Sequence, residues 1–274
     1  MLLVENVTKR YGRTLANDGV CMSVASGELA VLIGPNGAGK STIIKSICGL
    51  LRFDGRITVG GFDNRTPDAK RILGYVPEFP SLYPMLTVDE HMEFIARAYR
   101  LGEGWRGRAE DMLARFELSD KRTKLGKELS KGMQQKVSVC CALLPEPKAV
   151  ILDEPLVGLD PRGIRELKNA LAELKAAGAA LLVSTHMLES VEENWDLTYI
   201  MVGGRISRTF RRSELQAGES LEAAYFAATE GAGTSSEGGA AAPADSGMQN
   251  GAAASADGGI QNDMQNDAQG GGRS

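Results

Sequence analysis

Apolar and polar positions along the chain fall into three patterns. Leu2 to Val7, Thr14 to Val24 and Arg56 to Val59 read as short strands of an antiparallel lobe. Glu28 to Gly34, Ala149 to Asp153 and Ala179 to Thr185 are short, nearly continuous apolar runs, the pattern of strands buried on both faces. Between them lie helical patterns: an amphipathic segment from Thr42 to Leu51, and Pro161 to Lys175, with Asp160 as N-cap and Pro161 as first helical residue. Strands that alternate with helices predict a parallel sheet covered by helices, so the expected fold class is α/β. From Pro80 to Leu144 the pattern is mostly helical, which predicts a helical subdomain (about 80–145) inserted into that core. Tyr199 to Val202, Gly203-Gly204 and Arg205 to Ser207 read as a terminal hairpin.

The pattern stops near Glu230, where Gly, Ala, Ser, Asn, Gln and Asp take over and aromatic residues disappear. Such a segment buries too little apolar surface to offset the entropy of ordering, so residues 1–229 are expected to form the folded domain and 230–274 a low-complexity, disordered tail rather than an interaction arm. From Glu230 onward six acidic residues face Arg273 alone, a net of −5, so that of the chain's −4 the first 229 residues hold +1. A nearly neutral folded part lacks the basic footprint of a nucleic-acid-binding protein.

No stretch of the 274 residues approaches the roughly 20 consecutive apolar positions of a membrane-spanning helix. Glu5, Lys9 and Arg10 interrupt the N-terminus, which lacks the apolar core of a secretory signal, so the chain is expected in the cytosol. Cys21, Cys48, Cys140 and Cys141 lie in apolar surroundings without metal-ligand spacing and are expected to be reduced, packed thiols.

The chemistry begins at Gly34-Pro35-Asn36-Gly37-Ala38-Gly39-Lys40-Ser41, placed between a strand and a helix. It matches the P-loop pattern: glycines let backbone amides surround phosphate oxygens, Lys40 adds a cation near the β and γ phosphates, and Ser41 offers an oxygen to Mg²⁺. By itself this loop implies nucleotide binding and leaves the reaction open. Further along come Tyr75-Val76-Pro77-Glu78, Leu129-Ser130-Lys131-Gly132-Met133, Val150-Ile151-Leu152-Asp153-Glu154, Gly158-Leu159-Asp160 and Ser184-Thr185-His186. Asp153 ends a buried strand, and Glu154 is expected to point the other way along that strand, where it can accept a proton from an attacking water. His186 follows a second buried strand, where an imidazole can hydrogen-bond a γ-phosphate, although a histidine there is also a common structural residue. His91, outside every motif, is assigned no role; Trp195, Met92, Met112 and Met133 read as packing or coupling-surface residues.

Taken in this order, the motifs closely resemble the nucleotide-binding subunits of ABC transporters over residues 1–229. The resemblance implies a P-loop core that binds ATP and Mg²⁺ and hydrolyses ATP. The P-loop and Thr42 would hold the phosphates; Ser41, Glu78 and Asp153 would hold the metal; Glu154 and His186 would be catalytic. Ser130 and Gly132 of the signature motif would contact phosphate, and Tyr11 would stack on adenine or else serve as a packing or turn residue. Glu78 stands where the family usually has glutamine, and Lys131 and Met133 interrupt the usual Leu-Ser-Gly-Gly-Gln. Both departures resemble the exporter branch for drugs and antibiotic peptides. The implied partners are a separate multi-spanning permease and a second nucleotide-binding subunit, either a copy of this chain or a different one.

A soluble ABC ATPase acting on DNA or ribosomes is the competing reading. Only ninety positions separate Lys40 from Ser130, with no heptad run between them, and the chain has one P-loop and one signature. A GTPase or small-molecule kinase would leave the signature unexplained, and no Asn-Lys-x-Asp string is present.

Overall fold

The computed structural model describes residues 1–186, 195–214 and 225–226. Two units divide the chain, Met1–Ser236 and Glu237–Ser274. The second, like the expected tail from Glu230, lies outside the described residues.

The elements run β1 (Leu2–Tyr11), β2 (Thr14–Val24), β3 (Leu29–Ile33), α1 (Lys40–Ile47), β4 (Asp54–Val59), β5 (Phe62–Asp63), α2 (Pro67–Arg71), β6 (Leu73–Val76), α3 (Val88–Ala98), α4 (Trp105–Arg115), α5 (Lys131–Leu143), β7 (Ala149–Asp153), α6 (Pro161–Ala176), β8 (Ala180–Thr185), β9 (Leu197–Val202) and β10 (Arg205–Arg211). One sheet is four-stranded, in the order β2-β1-β4-β5, and antiparallel throughout. The other is six-stranded, in the order β10-β9-β3-β8-β7-β6; its pairs from β9 to β6 are parallel and β10 closes it antiparallel. Fold class, antiparallel lobe and terminal hairpin agree with the sequence reading.

Why the parallel strands read as unbroken apolar runs follows from what lies on each face. Val31, Ile33, Val150, Leu152, Leu181 and Val183 pack toward α3, α5 and α6 with Met92, Val137 and Leu167. Their alternating neighbours Ala30, Leu32, Ile151 and Leu182 pack toward α1 and the lobe with Ile43, Ile44, Ile57 and Val20. A strand covered on both sides leaves no polar position to alternate. Burying such a Leu or Ile side chain contributes about 1.5–3 kcal/mol, so this double-sided core anchors the loops at the sheet's C-terminal edge.

The structure differs from the sequence reading in places. Helix α1 starts at Lys40 rather than Thr42 and stops at Ile47, because Gly49 at φ 71 turns the chain before Leu50 and Leu51. Strand β6, the sheet's edge, is not predicted as a strand, since four residues that include Gly74 are too few to show a period, and its last two residues open the Tyr75-Val76-Pro77-Glu78 motif. Cys48 and Cys140 are buried thiols, but Cys21 is exposed, since β2 turns Val20, Met22 and Val24 inward and the residues between them outward. Burial raises the Cys141 thiol to about 12. Trp195 and Met92 are packed, Trp195 edge-on to Phe210 at 5.7 Å between ring centroids. Among the described residues no helix is long and apolar enough to cross a membrane.

Candidate functional site

Strand β3 delivers the chain into the glycine loop, and the loop ends as the first turn of α1. The first N–H groups of a helix have no intrahelical acceptor and carry the positive end of its dipole, so this junction is built to receive an anion. The loop's carbonyls are held away by neighbours: the Gly204 N–H donates to Ala38 O at 2.9 Å and the Asn17 side-chain amide to Gly39 O at 3.1 Å. Gly39 has φ 106, and a Cβ there would stand 2.4 Å from Ala16 O, so only glycine fits between helix and lobe. The Lys40 ammonium curls over the loop and donates to the carbonyls of Gly34 at 2.7 Å and Pro35 at 3.3 Å.

Strands β7 and β8 bring the acidic and imidazole groups to the same edge. Their register pairs Asp153 with Ser184, whose hydroxyl donates to Asp153 Oδ1 at 2.5 Å. The sequence places Glu154 along the strand, but β7 ends at Asp153 and Glu154 leaves it. It turns at φ 47, and its N–H donates to Ser184 O at 3.1 Å and to Ser184 Oγ at 3.2 Å. A left-handed glutamate is uncommon and is held here by both bonds. This turn brings the Glu154 carboxylate to His186, with Oε2 2.9 Å from Nδ1. The tautomer with its proton on Nδ1 donates to that carboxylate and keeps a lone pair on Nε2.

A cavity of 450 Å³ joins these parts, lined by Asn36 to Thr42 together with Glu78, Glu154 and His186. Seven of the predicted loop residues, from Asn36 to Thr42, therefore share one space with the predicted metal ligand Glu78 and both predicted catalytic groups. Gly34 and Pro35 meet it through Lys40, and Asp153 through Ser184 and Glu154. Thr14, Leu15, Ala16, Gly203 and Gly204 also line it, which the sequence did not reveal, because they arrive from two hairpins distant in the chain. Tyr11, 47% exposed at the end of β1, lies outside this lining with the Lys9 ammonium 4.9 Å from its ring centroid. Among the described residues no three or more His, Cys, Asp or Glu are grouped so as to hold a metal ion by themselves.

Ser130 and Gly132 do not reach the cavity of their own chain. Ser130 caps α5, its Oγ accepting from the Met133 N–H at 3.3 Å. Gly132 presses on the loop after Glu154, where a Cβ would lie 2.6 Å from Gly158 O. One helical turn on, buried Lys136 bonds Asp160 Oδ1 at 3.0 Å, while Gln135 donates to Pro155 O at 3.4 Å. Residues 132, 135 and 136 share a helix face, so the start of α5 rests on the segment from Glu154 to Asp160. The hydrogen bond from Lys136 holds the Asp160 carboxyl below the usual aspartate range.

Comparison with known proteins agrees with this arrangement. Residues 17–157 match the family model described as ABC transporter. The linearmycin resistance ATP-binding protein LnrL of Bacillus subtilis is 37% identical over 70% of this chain, which spans 63% of that protein's length. The ABC-type transporter ATP-binding protein EcsA of the same organism is also 37% identical, over 79% of this chain and 89% of its own. The daunorubicin resistance ATP-binding protein DrrA3 of Streptomyces coeruleorubidus is 35% identical over 79% of this chain and 70% of its own. Among solved structures, an ATP-binding subunit of an ABC transporter superposes with a TM-score of 0.80 at 37% identity, covering 84% of this chain and 99% of that one. The chain thus carries an ATP-binding cassette and belongs to the ABC transporter family.

Proposed function

We propose that this chain is the ATP-hydrolysing motor subunit of an exporter, working on the inner face of a membrane beside a separate permease. The observation that supports it best is the shared cavity, where Lys40, Ser41, Glu78, Glu154 and His186 surround one space at the helix N-terminus. Asn36 to Thr42 would cradle the phosphates with backbone amides, and Lys40 would exchange the loop carbonyls for phosphate oxygens. Glu154 would accept the proton of the attacking water, and His186, oriented by that same carboxylate, would sense the γ-phosphate through Nε2. Ser41, Glu78 and Asp153 would hold Mg²⁺ with the phosphates supplying further oxygens, a donor set of hydroxyl and carboxylate that suits this hard cation. When bound, the ion offsets phosphate charge. Tyr11 would stack on adenine beyond the cavity rim.

Ser130 and Gly132, remote from their own chain's cavity, would close the ATP site of a second motor subunit. A cassette solved as a dimer, MJ0796, supports this; it superposes with a TM-score of 0.70 at 27% identity over 77% of this chain and 98% of its own. ATP binding closes the pair, and loss of the γ-phosphate reopens it. A groove of 430 Å³, lined by Leu50, Tyr75, Tyr83 and Phe94, with exposed Phe79 and Met85 on the same chain segment as Tyr83, would receive an apolar segment of the permease. Export rests on the relatives' names, which speak of linearmycin resistance, daunorubicin resistance and lantibiotic transport. The cassette would comprise residues 1–229, with 230–274 as an appended tail. Glu154→Gln tests the core of the reading: ATP should still bind while turnover falls about 10²–10⁴-fold, and near-normal turnover would remove Glu154 from its role.

A further inference from the structure

His91 has no place in the motifs, yet it is 4% exposed and both of its ring nitrogens are engaged. Its Nδ1–H donates to O of Thr87, the N-cap of α3, at 2.7 Å, and its Nε2 accepts the Tyr83 N–H at 2.9 Å. An imidazole bonded in this way joins two part-buried backbone groups at once, and it does so with its proton on Nδ1. The Tyr83 ring lies 6.2 Å from His91 and meets Phe94 edge-on at 5.3 Å, so the segment after Glu78 is fixed to α3 by its backbone and by its side chain.

That segment forms the lip of the apolar groove. Its other side is bonded to the approach to Ser130: the Lys127 N–H donates to Pro84 O at 3.2 Å and the Gly126 N–H to Leu86 O at 2.8 Å. Gly126 O in turn accepts the Gln134 side-chain amide at 3.0 Å, from the first turn of α5. A continuous path of hydrogen bonds thus runs from His91 through Tyr83–Leu86 and Gly126 to the helix that Ser130 caps.

We infer that His91 is a positioning residue: it latches the groove lip to α3, so that a force on the groove moves the start of α5 and with it Ser130. The inference rests on the reading of the groove as the permease's seat, but the latch itself can be measured in the subunit alone. A latch that fails while the permease still crosslinks to the groove refutes only the latch.

Hydrogen exchange on the full chain tests it, comparing wild type with His91→Phe, which keeps a ring and loses both bonds, and with His91→Gln, whose Oε1 can accept the Tyr83 N–H. In His91→Phe, amides of residues 81–86 and 125–130 should both exchange on the order of tenfold faster, with β3 and α1 unchanged and ATP affinity retained. His91→Gln should restore slow exchange in both segments, as simple ring packing would not. If the phenylalanine variant fails to fold, His91→Asn, too short to reach Tyr83, takes its place against glutamine. Faster exchange in 81–86 alone, in neither segment, or throughout the sheet would overturn the role.

Discussion

At the C-terminal edge of the parallel sheet, Asp153, Glu154 and His186 sit at the ends of neighbouring strands, and the register of β7 against β8 brings them together. In the helical region from Pro80 to Leu144, Tyr83 meets His91 and Gly126 meets the start of α5 through irregular loops, and the bonds from Gly126 and Lys127 to Leu86 and Pro84 tie the two loops together. In the proposed mechanism the first region performs chemistry through residues specified by charge and hydrogen-bonding capacity, and the second transmits motion through residues specified by what they touch. A substitution in the first should therefore damage one site's reaction, whereas a substitution in the second should leave ATP binding intact and damage cooperation between subunits.

A pair of glycines separates the two regions most sharply. Gly39→Ala forces a side chain onto Ala16 O at a backbone angle costing about 1–3 kcal/mol, so the loop must shift and ATP affinity should fall at least tenfold. Gly132→Ala meets Gly158 O in the same way, but outside the cavity. Its ATP affinity should match wild type, while ATP-driven pairing and hydrolysis fall. Nucleotide titration beside a sizing assay gives both readings, and equal losses of affinity in the two variants would erase the distinction.

A smaller effect is expected at Asp160, where the helical region leans on the catalytic loop. Its carboxyl, held low chiefly by the Lys136 hydrogen bond, favours the folded state when ionised; that contribution is present above the ordinary aspartate pKa of about 4 and is lost as pH falls through the lowered value. Asp160→Asn retains an N-cap acceptor for Gly163 but loses the charge. Because the wild-type carboxylate is 48% exposed and screened by solvent, the variant's melting temperature should be only about a degree or two below wild type at pH 7, and the gap should close as pH falls below 4. A gap that widens in acid would contradict the pairing. The smallest effect belongs to the tail: removing residues 230–274 should leave melting and ATPase rate unchanged, as its composition offers few groups to bury. A drop of more than a few degrees would mean that it docks.

The same contrast explains how much could be read from the sequence. The strands β3, β7 and β8 were legible because burial on both faces leaves an unmistakable apolar run, and the glycine loop because its spacing encodes a backbone shape. The fold class and the chemical residues at the strand ends followed. Glu154's left-handed turn was not legible, since it depends on two hydrogen bonds to Ser184 on another strand. Thr14 to Ala16 and Gly203-Gly204 were missed as cavity lining for the same reason. His91 carried no sequence signal at all: its meaning lies in Tyr83 and Thr87, and only the fold of the segment before α3 brings them to its two nitrogens.

If one chain's α5 completes another chain's ATP site, mixing two broken chains should rebuild one working site. A Lys40→Ala chain paired with a Ser130→Ala chain has one doubly broken site and one intact site, formed by the second chain's P-loop and the first chain's Ser130. Neither homodimer has an intact site. Loss of a hydrogen bond to a charged phosphate costs about 1.5–3 kcal/mol, roughly ten- to a hundredfold in closure. With the permease present to hold the pair, nucleotide-dependent closure should be restored in the mixed dimer and absent from both parents. If mixed dimers assemble and close no better than either parent, Ser130 does not complete the neighbouring site, and the two-subunit mechanism is wrong for this protein.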